Sequence, residues 1–191
     1  LAVYSPARKT TVLLSIPRDI YVPYSTQGTI GGAESHKVNE AFAYGRGDLS
    51  KKVVNWVLGY PIQSYAAVDF DNFQKAIDEV GGIEVDVPQA FSTFKKGPQH
   101  FDGARALEYT RIRTTATAEE SMDFARSRRQ RQIIQAFLAK LRTPAGLLHL
   151  IPLVGLAKSG LTTDMQLPSI GDLTTLVRTS GEIKFYEAGL T

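Results

Sequence analysis

The sequence contains no cysteine, which excludes disulfides, thiolate metal sites and a cysteine nucleophile. Its three histidines, His36, His100 and His149, stand far apart with no helical pairing, so a histidine-built metal site has little basis. Long hydrophobic runs are missing too. The longest, "GLLHLIPLVGLA" from Gly146 to Ala157, is interrupted by Pro152 and falls short of the roughly 20 residues that span a bilayer. No phosphate-cradling Walker loop is present, because "GTIGGAE" (Gly28 to Glu34) lacks the G-x-x-x-x-G-K-[ST] spacing and reads as a flexible segment. Neither a starting methionine nor a signal peptide opens the chain. It begins at "LAVYSPARKTTVLLSIP", which reads as the inside of a strand, so a fragment with its upstream sequence removed is expected.

What is present points to a packed domain. With 191 residues, 43% of them hydrophobic and 21% charged, the chain can bury a core, and global disorder is excluded. A single domain over residues 1–191 is expected, since no repeat, linker or low-complexity tract divides it. The net charge of +3 leans weakly toward anionic partners; how the charges are distributed matters more.

The order of elements indicates an α/β fold, a layered α/β/α domain with a mixed central sheet flanked by helices. "TTVLLSIP" reads as a buried strand that leaves through a Pro-bounded loop, "RDIYVPY". "HKVNEAFAYG" and "DLSKKVVNWVLG" read as consecutive helices, each closed by a glycine, Gly45 and Gly59. "SYAAVDF" predicts a strand, "DNFQKAIDEVGG" a helix capped by Asp71, and "IEVDVP" another strand. "FDGARALEY" predicts a short helix with Asp102 as N-cap, feeding "TRIR" as a strand or strand end. A polar loop, "TTATAEES", precedes a long helix to about Arg142. Helices near 145–158 and 168–179 and a last strand, "EIKFYEA", complete the chain.

The long helix opens with four arginines in six residues, Arg126, Arg128, Arg129 and Arg131. At about 100° per residue with Gln130 as zero, Ile133, Ile134, Phe137 and Leu141 fall within roughly 60° and define the core-facing stripe. Asp123 and Arg126 lie within roughly 40° of that line, Arg128 points away, and Arg129 and Arg131 lie on the flanks. Asp123, Arg126 and Gln130 therefore continue the buried stripe. A charge there is costly unless paired, which leaves two readings: an Asp123–Arg126 pair holding the helix end, or a pocket for an anion.

In "YTRIR", a strand would place Arg111 and Arg113 on one face. Two adjacent guanidiniums need an anion between them, either acidic side chains or a phosphate, whose oxygens the arginine fork matches. Arg18 follows a strand end, where α/β proteins place ligand contacts, and a salt bridge to Asp19 is the competing reading. Lys37 at a helix start opposes the helix dipole, so a bound anion would help it, although surface lysines are common. These residues together point to an α/β domain with a phosphate or pyrophosphate pocket and name no reaction.

Several long stretches, in order, resemble the LytR–CpsA–Psr family of bacterial cell-wall proteins. They are "LLSIPRD", "HKVNEAFAYG", "YAAVDFDNFQKAIDEVGGIEVDVP", "GPQHFDGARALEYTRIR" and "DFARSRRQRQII". The resemblance runs from residue 1 to about 142 and is looser in the helices and strand of 143–191. It implies an extracytoplasmic domain at the cell membrane, held by a transmembrane anchor upstream of this fragment. The implied activity moves a glycopolymer, such as teichoic acid or capsule, from a polyprenyl-pyrophosphate carrier onto peptidoglycan as a phosphodiester, with Mg²⁺ assisting.

On the family's motifs, Arg18, Arg111, Arg113, Arg126 and Gln130 would bind the pyrophosphate, with Lys37 a weaker contact. Arg129 joins the substrate-binding candidates, and Asp123 would orient the arginines or take the acceptor proton. An apolar tunnel would house the lipid, with Phe70, Phe73, Ile77 and Phe137 as wall candidates; plain core packing is the other reading for each of these four. The family's metal-binding aspartates belong to motifs upstream of "LAVYSP", so no metal ligand is expected in this sequence. A non-catalytic binder of lipid-linked or anionic wall polymers is the alternative function. A nucleic-acid surface fits poorly, because it would want exposed lysines and aromatics, whereas Arg126 reads as inward-facing.

Overall fold

Period-two burial is clearest in β6 (Ile83–Val87), where Ile83, Val85 and Val87 face inward and Glu84 and Asp86 face solvent. In the computed structural model, which describes residues 1–5, 7–8, 10–112, 123–166, 169–179 and 183–187, this strand pairs antiparallel with β7 (Gly97–Phe101), Ile83 opposite Phe101. The described chain divides into two compact units. One comprises 1–15, 68–160 and 167–186; the other comprises 16–67, 161–166 and 187–191.

The larger unit holds β1 (Ala2–Ser5), β2 (Thr10–Ser15) and β9 (Ile183–Glu187), ordered β1-β2-β9 with β1 and β2 antiparallel. Around the β6–β7 pair lie α2 (Phe70–Glu79), α3 (Gly103–Arg111), α4 (Asp123–Leu141), α5 (Pro144–Leu148), α6 (Leu150–Gly160) and α7 (Ile170–Thr179). Their shared core gathers Ile77, Val80, Ile83, Val85, Val87, Phe91, Phe94, Phe101, Tyr109, Ile133, Leu141 and Leu150.

Two aspartates start the helices that frame the candidate site. Asp102 caps α3 by accepting from the Arg105 N–H, as expected. The cap of α2 is Asp69, which accepts from the Asn72 N–H, not Asp71; the aspartate immediately before the first helical turn has the geometry that satisfies an orphan donor. At Gly103 a Cβ would overlap the Gln74 backbone carbonyl, so only glycine lets α3 approach α2 this closely. The Asp78 carboxylate ties the same point by accepting from the Gly103 N–H at 2.7 Å.

The smaller unit contains the antiparallel pair β3 (Tyr21–Tyr24) and β4 (Ile30–Lys37), together with α1 (Ala41–Leu58). It also holds the pairing of β5 (Ala66–Val68) with β8 (Leu161–Thr163). Val22, Tyr24, Ala41, Leu49 and Val53 form its core. The expected helix ends at Gly45 and Gly59 are found, since α1 breaks at Gly45 and Arg46 and Gly59 closes it in the left-handed conformation, but His36 and Lys37, expected in the first helix, end β4 instead. "RDIYVPY" and "GTIGGAE", read as a loop and a flexible segment, are instead largely strand. Hairpin pairing overrides the weak propensity of the glycines there.

Candidate functional site

The larger unit carries a groove of about 310 Å³ lined by Val68, Asp69, Phe70, Phe73, Leu107, Thr110, Gln130, Ile133 and Ile134. Three helices build it: the start of α2, the last turns of α3 and the middle of α4. Its walls are mostly apolar, and its polar groups are Asp69, Thr110 and Gln130. Phe70 is 56% exposed, and the Arg111 guanidinium carbon lies 4.6 Å from the centre of its ring. A cation over an aromatic face is attracted by the ring quadrupole, so Phe70 orients Arg111 beside the groove. Arg111 also borders a second cavity, of about 470 Å³, with Ala104, Leu107, Glu108 and Ile112. Leu107 lines both.

Arg111 therefore sits at the end of a helix and not in a strand, and "TRIR" is not a strand through Arg111. Its backbone continues α3, because the N–H of Ile112 still donates to the Glu108 carbonyl at 3.2 Å. The strand-based alignment of Arg111 with Arg113 falls with this, and Arg113 lies outside the described residues, as does "TTATAEES", read in the sequence as a loop.

On α4 the buried line differs from the one read in the sequence. Ala125, Arg129, Ile133 and Leu141 are buried, while Gln130 and Ile134 are exposed. The inward face is thus centred about one residue's rotation away, on the i, i+4, i+8 series from Ala125. Gln130 does not continue a buried stripe; it lines the open groove with Ile133 and Ile134. Arg126 is half-buried, on the helical row Arg126–Gln130–Ile134 that runs from the groove toward the helix start. Arg128 is exposed, as expected. The start of α4 falls at Asp123, whose side chain lies outside the described residues.

Arg129, read as a flanking substrate contact, is 1% exposed and cannot reach a ligand in the groove. Its Nη2 donates to the Ile112 carbonyl at 2.6 Å, and its guanidinium carbon lies 4.7 Å from the Phe91 ring centre and 5.9 Å from that of Tyr109. It satisfies the carbonyl just past the end of α3 and so fixes the segment that presents Arg111. The Tyr109 hydroxyl donates to Gln132 Oε1 at 2.7 Å, giving α3 and α4 a second tie. Ile77 is 2% exposed within the hydrophobic core, and Phe137 packs against that core. Neither lines the groove, so of the four wall candidates only Phe70 and Phe73 do.

Asp69 is an ionised group at the groove's edge. The Asn72 backbone N–H, at 2.7 Å, holds its carboxyl below the usual range, aided by the Asn72 side-chain amide at 2.9 Å. That engagement commits it to capping.

In the smaller unit, Arg18, Asp19 and Lys37 form one cluster. Lys37 Nζ donates to Asp19 Oδ1 at 2.8 Å, and Arg18 Nε lies 3.3 Å from Asp19 Oδ2. The Arg18–Asp19 ion pair is thus formed, and the hydrogen bond to Asp19 raises the Lys37 pKa. Asp19 thus faces both cations, and Glu40 acts on Lys37 as well. The hydroxyl of buried Tyr24 donates to the Lys37 carbonyl at 2.6 Å. Burial, with Glu40 and Tyr44 nearby, pushes this tyrosine up to about 12.

Among the described residues no three His, Asp or Glu gather as metal ligands. The carboxylates beside the two cationic clusters, Asp19 and Asp69, are already engaged. A protein-built cage of three or more such ligands is therefore not present among the described residues, and Mg²⁺ more often uses one or two carboxylates with substrate phosphates.

The LytR_cpsA_psr family model matches residues 1–188. A polyisoprenyl-teichoic acid–peptidoglycan teichoic acid transferase, TagV of Bacillus subtilis, is 34% identical over 173 residues, covering 85% of this chain and 43% of the relative. TagU of Oceanobacillus iheyensis, a transferase of the same name, is 32% identical over 181 residues, covering 90% of this chain and 54% of the relative. The chain thus spans about half the length of the curated relatives it matches. The crystal structure of B. subtilis TagV superposes with a TM-score of 0.77 at 30% identity, over 100% of this chain and 75% of that one. With the match running through nearly every residue and the fold shared, this chain belongs to the LytR–CpsA–Psr family.

Proposed function

We propose that the chain binds a polyprenyl-pyrophosphate-linked glycopolymer and transfers the polymer to peptidoglycan. The observation that carries this reading is an apolar groove with polar and cationic groups at its edge: Gln130 lines it, and Arg111 stacks on the groove-lining Phe70. A ligand with a pyrophosphate head and a hydrocarbon tail matches both parts. Phosphate oxygens suit the arginine fork, and a prenyl chain gains by leaving water. The activity for which the relatives are named, polyisoprenyl-teichoic acid–peptidoglycan teichoic acid transfer, supports the same substrate class.

In the proposed reaction a peptidoglycan hydroxyl attacks the phosphorus that bears the glycopolymer. A new phosphodiester forms, the P–O–P bond breaks and polyprenyl monophosphate leaves. Asp123 is assigned the hydroxyl proton. Arg111, Arg126 and Gln130 hold the phosphate oxygens as charge spreads over them, so the protein contributes positioning and neutralisation more than covalent chemistry. Arg113 is proposed as a further cation toward the same pyrophosphate, and Arg18 and Lys37 as phosphate-binding cations of the smaller unit. No step is routed through Mg²⁺. The site is assigned to the extracytoplasmic face of the membrane, where carrier and wall meet.

The test is calorimetric titration with polyprenyl pyrophosphates of increasing length, followed by transfer to peptidoglycan fragments. Affinity should rise with the first isoprene units, because each buried CH₂ contributes about 0.8 kcal/mol. It should level off early, since the groove is at the small end of ligand sites. Affinity independent of chain length would remove the groove from the proposal, and binding without transfer would reduce the chain to a carrier-binding module.

A further inference from the structure

From Phe124 to Thr163 the sequence has forty residues with seven Lys or Arg and no Asp or Glu. Within this run α5 and α6 carry an apolar edge that no described element covers. Leu148 is 77% exposed and Ile151 64%, and Pro152 and Gly155 are exposed beside them. Within α6 the spacing of 151, 152 and 155 is that of one helical face, and Leu148 ends α5 just before it. The opposite side is anchored inward: Leu150 is buried in the core, and His149 Nδ1 lies 3.3 Å from Glu79 Oε1. Exposed Arg142 stands before the edge in sequence, and Lys158 lies one turn beyond Gly155. None of the cavities described above includes a residue of α5 or α6.

We infer that this edge is a membrane-contact surface, with Leu148, Ile151 and Pro152 entering the interface of an anionic bilayer while Lys158 and Arg142 meet its head groups. Charge complementarity selects the occupant. A run free of acidic residues is attracted to anionic lipid, and an apolar ridge between cations matches an interfacial helix, where long cationic side chains keep their charge in the head-group layer. Nucleic acid would leave Leu148 and Ile151 in water. The inference stands on exposure and charge alone, so it survives or fails apart from the transfer reading.

The experiment is flotation of the 191-residue chain with vesicles of phosphatidylcholine, with or without phosphatidylglycerol, containing no carrier lipid. Binding is expected to the anionic vesicles, at least tenfold weaker to the neutral ones, and weaker again as salt is raised. Leu148→Ser/Ile151→Ser should lose tenfold or more, and Lys158→Glu several-fold, while both keep their affinity for a short-chain, water-soluble polyprenyl pyrophosphate.

Because the chain has no cysteine, Ile151→Cys carries a single environment-sensitive fluorophore, which should shift to the blue when anionic vesicles are added. That readout stands even if the double variant does not fold. No flotation, equal flotation of the double variant, or an unshifted fluorophore overturns the inference. So does a concentration-dependent dimer, seen by sedimentation and abolished by Leu148→Ser/Ile151→Ser, with no vesicle binding; a second copy would then be the occupant.

Discussion

Replacing Arg129 by methionine separates a residue that positions the site from one that contacts the ligand. The substitution keeps an unbranched stem in the core but removes the donor to the Ile112 carbonyl and the cation over Phe91 and Tyr109. A buried hydrogen bond from a charged donor contributes about 1.5–3 kcal/mol. The ring contacts add roughly 0.5–2 kcal/mol where desolvated, while methionine recovers part of the desolvation a buried cation costs. A net loss of about 2–4 kcal/mol follows from these ranges. For a chain of this size that is a fall in Tm of roughly 4–16 °C, read by calorimetry and by urea unfolding. Arg128→Met, on the exposed side of the same helix, should stay within about 0.5 kcal/mol. Carrier affinity should also fall in Arg129→Met, because the end of α3 that presents Arg111 loses its anchor. An unchanged Tm with unchanged carrier binding would refute the positioning role.

Arg111→Ala should weaken binding of a polyprenyl-pyrophosphate analogue with little change in Tm, and Arg111→Lys should restore only part of it, because a point charge lacks the fork; full rescue by lysine would mean charge alone matters. Gly103→Ala should destabilise by about 1–3 kcal/mol through forced separation of α2 and α3, measured by urea unfolding, and a neutral result would show that the helices part freely. Asp69→Ala should cost about 1 kcal/mol as a lost N-cap, with an effect on transfer no larger than its effect on stability. Finally, Lys51 holds the Asp164 carboxyl below its ordinary value of 3.8. Asp164 therefore contributes stability that is present above that value and is lost as pH falls through its lower folded pKa. Lys51→Met should flatten that part of the acid-unfolding curve, and an unaltered curve would assign acid sensitivity elsewhere.

Local rules and patterning determined the alternation of strands and helices. The buried valines of β6, the Asp102 cap and the breaks at Gly45 and Gly59 all follow from side-chain chemistry within a few residues. Arg126 on the core-facing line, together with Arg111 and Arg113, likewise pointed to an anion from sequence alone. Tertiary structure decided which arginine does what. A helical wheel places residues relative to one another but has no absolute zero, and anchoring it on Gln130 turned the buried face by about one residue. The Ala125–Arg129–Ile133 series was a legible signal for that face, but an arginine at its centre reads as implausible until Phe91, Tyr109 and the Ile112 carbonyl are seen around it. Arg111 was legible as a cation and not as the end of a helix, because "TRIR" has no strong preference and the Glu108 carbonyl settles it. The groove itself depends on Gly103 admitting α3 against α2. Contacts between segments thirty residues apart carry no trace in local sequence periodicity, and that is why the site's walls emerged only with the fold.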